Sequence, residues 1–83
     1  MATTLYVGNL PWSATETSLT DAFGLHGQVV SSRIITDKET GRSRGFGFVE
    51  VEDQDADAMV SAMNGADMEG RQIVVNEAKH REN

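Results

Sequence analysis

Aromatic and charged side chains alternate in one short segment of the sequence, Arg44 to Val51. Successive side chains of a β-strand point to opposite faces, so a strand here places four residues together on one face: Arg44, Phe46, Phe48 and Glu50. A face that carries charge normally meets water, so we expect both phenylalanine rings to be exposed. The segment therefore predicts a surface on which flat groups stack.

A third aromatic residue belongs to the same predicted surface. Tyr6 lies between Leu5 and Val7 in a strand-like segment, and it faces outward if these two neighbours are buried. Three exposed rings would form a platform for nucleobases, whose stacking contributes about 1 to 3 kcal/mol per base. Burial in an ordinary core is the alternative for each ring, and the motifs described below favour exposure.

Periodicity and turn residues predict the elements that position these rings. Strands are predicted at 4–10, 29–36, 45–51 and 71–78, with a polar hairpin loop at 37–43. Amphipathic helices are predicted to follow Thr15 and Asp53, which suit the N-cap position. The fold class is therefore α+β, a ferredoxin-like βαββαβ or split βαβ arrangement. Its four-stranded antiparallel sheet carries two helices on one face and leaves the other face open.

Alternation within the strands also predicts which residues share a face. The second strand places Val30, Ser32 and Ile34 on one face and Ser31, Arg33 and Ile35 on the other. In the last strand, Ile73 and Val75 point to the core. Trp12, in the turn after the first strand, is expected to pack against the loop or the edge of the helices, with stacking on a base as the less favoured alternative.

Charge is unevenly distributed along the chain. The formal net charge of −6 opposes binding to a polyanion. Between residues 33 and 48, however, four basic residues accompany two acidic ones, whereas residues 49 to 70 hold seven acidic residues and no basic one. We therefore expect a locally basic surface around Lys38 and Arg42, separate from an acidic one.

Composition argues against several classes of function. The chain has no cysteine, and His26 and His80 lack the spacing of metal ligands, so we predict no disulfide, no metal site and no cofactor. No run approaches the roughly 18 apolar residues of a membrane span. Residues 1–4 do not resemble a secretory signal. We therefore expect a cytoplasmic protein without a membrane partner.

Two segments closely resemble the two ribonucleoprotein motifs of the RNA-recognition-motif family. They are the hexapeptide from Leu5 to Leu10 and the octapeptide from Arg44 to Val51. The octapeptide matches the family pattern at its first six positions and departs from it at Val51, where the family has an aromatic residue. That departure lies on the predicted core face. The resemblance therefore implies an intact binding face.

The resemblance implies binding of single-stranded RNA without catalysis, and it implies which residues bind. Tyr6 and Phe48 resemble the rings that stack on neighbouring bases, and Phe46 resembles the ring that packs between two riboses. Arg44 resembles the position that pairs with a backbone phosphate. The other residues predicted to contact RNA are Arg33, Ile35, Val74, Asn76, Lys38, Arg42 and Lys79. Single-stranded DNA is not distinguished from RNA, because base stacking is common to both.

The predicted domain organisation is one RNA-recognition-motif domain over residues 1–83. Its core spans about 4–78, and 79–83 form a short polar tail. The short chain without a Gly-rich or Arg/Ser-rich tail is most similar to small bacterial members of the family that consist of one such domain. We expect a monomer.

Two other classes of function stay open. A protein-interaction module is compatible with the acidic charge, but it has no need for exposed rings at Tyr6, Phe46 and Phe48. An enzyme of the same topology, such as a small acyl phosphate hydrolase, needs a loop that cradles phosphate after the first strand. This chain has Asn-Leu-Pro-Trp at residues 9–12 instead. The sequence therefore favours RNA binding over both alternatives.

Overall fold

The structure is a computed structural model that describes residues 2–78 of the chain. The elements in chain order are β1 (Ala2–Gly8), α1 (Glu16–Gly24), β2 (Val29–Thr36), β3 (Ser43–Glu52), α2 (Asp53–Met63), β4 (Asp67–Met68), β5 (Arg71–Gln72) and β6 (Val74–Glu77). Four of the strands form an antiparallel sheet in the order β2-β3-β1-β6. This confirms the predicted α+β fold.

One hydrophobic core joins the two helices to one face of the sheet. The fully buried sheet residues include Leu5, Val7, Val49, Val51 and Val75, and the helices contribute Leu19, Phe23 and Met59. Complete burial of a side chain of this size contributes about 1.5 to 3 kcal/mol. The core therefore fixes which face of each strand meets the helices and which face stays open.

The N-terminus of α1 was predicted correctly, and that of α2 was misplaced by one residue. The Thr15 hydroxyl accepts a hydrogen bond from the Ser18 amide, and the Ser18 hydroxyl accepts one from the Thr15 amide. In contrast, Asp53 is the first residue of α2 and the N-cap is Glu52. The reason is that Glu52 still pairs with β1, so β3 runs directly into the helix.

A register shift in β2 overturns the predicted orientation of Val30. Val29 pairs with Val51 and Ser31 pairs with Glu50, so Val30 is an extra residue in the β2 strand. Val30 is 50% exposed, and Val29 packs against the core in its place. Between this bulge and a second register shift after Ile34, the predicted alternation holds, because Arg33 pairs with Phe48 on the open face and Ile34 packs against the core.

The predicted last strand is divided into two parts. Its first residues, Arg71 and Gln72, form β5, which pairs with β4 in a separate two-stranded sheet. The intervening Glu69 and Gly70 both have positive φ, as a two-residue hairpin turn of type I′ requires. Only β6 joins the main sheet, with Val75 inward as predicted.

Two properties of the described residues bear on the predicted absences. Neither α1 nor α2 is long and apolar enough to cross a membrane. Within residues 2–78, no three His, Cys, Asp or Glu side chains are grouped so that they could hold a metal ion.

The close approach of β2 and β3 at Gly47 gives a first testable prediction. A Cβ at this position would collide with the Arg33 carbonyl oxygen and lie 3.1 Å from the Ile34 Cα. We expect Gly47→Ala to lower the free energy of unfolding by about 2 kcal/mol or more, since backbone must move. Urea denaturation measures this change.

Gly24→Ala is the matched control. A Cβ at Gly24, the last residue of α1, meets no atom within 4 Å. Alanine is the better helix former by up to about 1 kcal/mol, so this variant should be at least as stable as the wild type. Equal stabilities of the two variants would contradict the close strand approach.

Candidate nucleic-acid interface

The strand register brings four of the predicted residues into one row across the sheet. Tyr6 lies opposite Phe48 on one side and opposite Asn76 on the other. Phe48 in turn lies opposite Arg33 of β2. Residues paired in this way point to the same face, so the row crosses all four strands on the face opposite the helices.

The rings of Tyr6, Phe46 and Phe48 form a triangular cluster in the middle of this face. Their centroids are 5.9, 6.0 and 6.2 Å apart. Tyr6 and Phe46 are tilted by 32°, and Phe48 meets the other two rings edge-on at 66° and 89°. All three residues are half-buried, because each ring contacts the other two at its edge and also faces solvent. This cluster can accept flat groups by stacking.

Gly8 sets the position of the Tyr6 ring. A Cβ at Gly8 would lie 2.6 Å from the Tyr6 Oη and 2.9 Å from its Cε2. The phenol ring therefore leans along β1 and covers Gly8, which is buried although it lies on the open face. Gly8 pairs with Phe46 on one side and with Val74 on the other, so the ring rests between these two residues.

The open face is acidic at one end. Glu50 lies opposite Thr4 and Ser31, one row from Tyr6 and Phe48. The Ser31 hydroxyl donates a hydrogen bond of 3.1 Å to the Glu50 carboxylate, which fixes this carboxylate next to the rings.

The opposite end of the sheet is basic. Arg44 is exposed near the start of β3, and Lys38 and Arg42 are exposed in the β2–β3 loop. The Asp37 carboxylate in this loop accepts hydrogen bonds from backbone amides, of which the Glu39 amide is the closer at 2.8 Å. The Asp37 carboxylate is thus engaged within the loop, and the exposed charged side chains there are Lys38, Arg42 and one acidic residue, Glu39.

Arg71 joins this basic end and was not singled out from the sequence. Its guanidinium donates a hydrogen bond of 2.5 Å to the Asn9 Oδ1, and the Asn9 Nδ2 donates one of 2.7 Å to the Gln72 carbonyl. Asn9 has φ 58, a conformation that asparagine adopts more readily than most residues. The asparagine after β1 is a signal for this turn, but its partner lies 62 residues away in the sequence.

The predicted binding residues thus fall into three groups. The first group lies on the open face and consists of Tyr6, Phe46, Phe48, Arg33, Val74 and Asn76. Ile35 adjoins this group at a second register shift of β2, between Ile34 and Thr36, where no pairing defines its face. The second group, Arg44, Lys38 and Arg42, lies at the basic end of the sheet. Lys79 lies outside the described residues.

Comparisons with known proteins agree with this geometry. A family model described as RNA recognition motif matches residues 5–74. Glycine-rich RNA-binding protein blt801 of Hordeum vulgare is 52% identical over 77 residues, which cover 92% of this chain and 48% of that protein. The structure of RNA binding protein PG1 superposes with a TM-score of 0.88 at 43% identity, covering 98% of this chain and 99% of that one. An SXL-lethal protein/RNA complex superposes with a TM-score of 0.84 at 39% identity, covering 92% of this chain and 47% of that one.

This chain spans about half the length of curated relatives that it matches. These relatives come from plants and a fungus, so they do not support the expected similarity to small bacterial members of the family. They also include a mitochondrial and a chloroplastic protein of Arabidopsis thaliana. The relatives therefore indicate no single cellular location.

Gly8→Ala tests the placement of the Tyr6 ring. We expect the added methyl group to displace this ring and to weaken the nuclear Overhauser effects between Tyr6 and Phe46. The free energy of unfolding should change by less than about 1 kcal/mol, because alanine suits a strand at least as well as glycine. Gly24→Ala should leave the ring contacts intact, and unchanged contacts in the Gly8 variant would contradict the geometry.

Proposed function

The chain belongs to the RNA recognition motif family, and on this basis we propose that it binds single-stranded RNA on the open face of its sheet. The observation that carries the proposal is the cluster of Tyr6, Phe46 and Phe48, whose ring centroids lie about 6 Å apart on that face. Each nucleobase has a flat face that stacks on such rings, and the contribution is about 1 to 3 kcal/mol per base. The names of the plant relatives and the RNA complex of the SXL-lethal protein support the same ligand.

The resemblance to the family implies how the binding roles are divided among these residues. Tyr6 and Phe48 stack on neighbouring bases, and Phe46 packs against the riboses between them. Arg33 and Asn76 lie at the two ends of the row and contact bases or sugars. The remaining predicted contacts to sugars and phosphates are assigned to Ile35, Val74, Arg44, Lys38, Arg42 and Lys79.

The proposed binding is of modest affinity and involves no chemical step. About two to four nucleotides fit on the rings and their flanking residues. Few cations lie near them, so the dependence on salt should correspond to the displacement of about one to three counterions. Single-stranded DNA is a competing ligand, because the rings accept deoxyribonucleotide bases in the same way. A cytoplasmic location and a monomeric state stay predictions.

Removal of a ring tests the proposal most simply. We expect Tyr6→Ala and Phe48→Ala each to weaken binding of a short randomised RNA by about 10-fold, since each variant loses one stacked base. Fluorescence anisotropy of labelled RNA at low salt measures the dissociation constant. Half-buried rings on the open face can be removed with little loss of core packing, which a urea titration of each variant verifies.

Leu25→Ala is the control for the loss of an exposed apolar side chain. Leu25 is 82% exposed and caps the C-terminus of α1, away from the open face. This variant should bind RNA as the wild type does. If both ring variants bind as tightly as the wild type, the proposal is wrong, and a protein partner becomes the leading alternative.

The acidic end of the face gives a prediction of opposite sign. Glu50 holds a negative charge one row from the rings, where it repels backbone phosphates. We expect Glu50→Gln to strengthen RNA binding by about 2- to 5-fold at low salt, with the gain fading as salt screens the charge. Asp57→Asn, on the exposed side of α2, changes the net charge equally and serves as the control. A similar gain in both variants would mean that net charge, and not position on the face, determines affinity.

A further inference from the structure

The one tryptophan of the chain is exposed at the edge of the proposed binding face. Trp12 is 71% exposed, although the sequence suggested that it packs against the loop or the helices. An indole this exposed leaves a large apolar surface in water, and tryptophan is one of the residues enriched in binding interfaces. Neither the platform of rings nor the core uses Trp12.

The position of Trp12 is fixed by backbone contacts on both sides. The Leu10 amide donates a hydrogen bond of 2.9 Å to the Gly45 carbonyl, which ties the β1–α1 loop to β3 next to Arg44. After the tryptophan, the Ala14 amide donates a hydrogen bond of 3.1 Å to the Pro11 carbonyl, and Ala14 is buried in the core. The indole is therefore held by an ordered loop.

Trp12 contributes to two surface depressions that differ in charge. One depression, of about 300 Å³, also includes Arg44 and Arg71, and no acidic residue lines it. The other, of about 780 Å³, includes Arg42 but also Glu16. Phosphate groups therefore suit the first depression better than the second.

The first depression continues the platform of rings. Arg44 is separated from Phe46 only by Gly45, whose carbonyl accepts the hydrogen bond from Leu10 in the loop that carries Trp12. Arg71 is anchored by its hydrogen bond to Asn9. Asn9 directly follows Gly8, the residue that the Tyr6 ring covers. A guanidinium has five N–H donors, so this bond to Asn9 leaves others for a phosphate.

We propose that Trp12, Arg44 and Arg71 form a second nucleotide subsite for the same RNA strand. The indole stacks on one further base, and the two guanidiniums contact the backbone phosphates that lead to it. An aromatic ring beside two cations matches a nucleotide, which presents a flat base and a charged phosphate together. This inference rests on the proposed RNA binding, and it extends the site beyond the ring platform.

Because Trp12 is the only tryptophan, its fluorescence reports on this subsite directly. The test is a titration with randomised RNAs of about four and about eight nucleotides, the shorter of which the platform alone accommodates. We expect the longer RNA to quench the emission strongly and the shorter RNA to quench it much less. Anisotropy of the same labelled RNAs gives the two dissociation constants.

Variants separate stacking from charge. Trp12→Ala should weaken binding of the longer RNA by about 10-fold and binding of the shorter RNA by less than about 2-fold. Trp12→Phe should restore most of the loss, because a phenyl ring still stacks. Arg71→Gln should also weaken binding of the longer RNA selectively and reduce its salt dependence. Leu25→Ala, which removes another exposed apolar side chain, should change the dissociation constant of neither RNA.

The outcomes distinguish this inference from the function on which it rests. If both RNAs bind the wild type but the indole is not quenched and Trp12→Ala binds normally, the second subsite is wrong while the platform stands. In that case the exposed indole serves another partner, such as a protein. If neither RNA binds the wild type, the platform and the second subsite are both wrong.

Discussion

The pairing of β1 with β3 at the centre of the sheet is the constraint on which the rest of the molecule depends. Leu5 lies opposite Val49 on the core side, and Tyr6 lies opposite Phe48 on the open side. A slip of one residue would turn the aliphatic side chains to water and the rings to the helices. Burial of Leu5, Val7 and Val49, at about 1.5 to 3 kcal/mol each, opposes that slip. The core thus holds the rings exposed.

The same register places the acidic and the basic segments of the chain at opposite ends of the sheet. The acidic segment begins in the second half of β3, so Glu50 and Glu52 lie beside the N-terminal end of β1. The basic segment precedes it, so Arg42 and Arg44 lie at the other end, where Arg71 joins them from the β4–β5 hairpin. A protein with a net charge of −6 thereby presents a locally basic edge, and this edge is where we place the approach of phosphates.

Local sequence patterns predicted much of this arrangement. The predictions failed where contacts between residues far apart in the sequence determine the structure. Alternation in β1 and β3 identified the rings, and the Thr15 capping position identified the start of α1. The bulge at Val30 depends on the register that β3 imposes on β2, which the β2 sequence alone does not contain. Strands of two residues, such as β4 and β5, are too short to show a period. The bond between Asn9 and Arg71 joins opposite ends of the chain, so neither residue indicates the other.

The most direct test of the central claim, that the open sheet face binds single-stranded RNA, is an amide-resolved NMR titration of the labelled protein with a short randomised RNA at low salt. The account predicts that the largest chemical-shift changes fall on one connected surface, which consists of Tyr6, Arg33, Arg44, Phe46, Phe48 and Asn76. The amides of α1 and α2, on the opposite face, should stay nearly unchanged. Changes confined to the helices, or none at all at saturating RNA, would contradict the account.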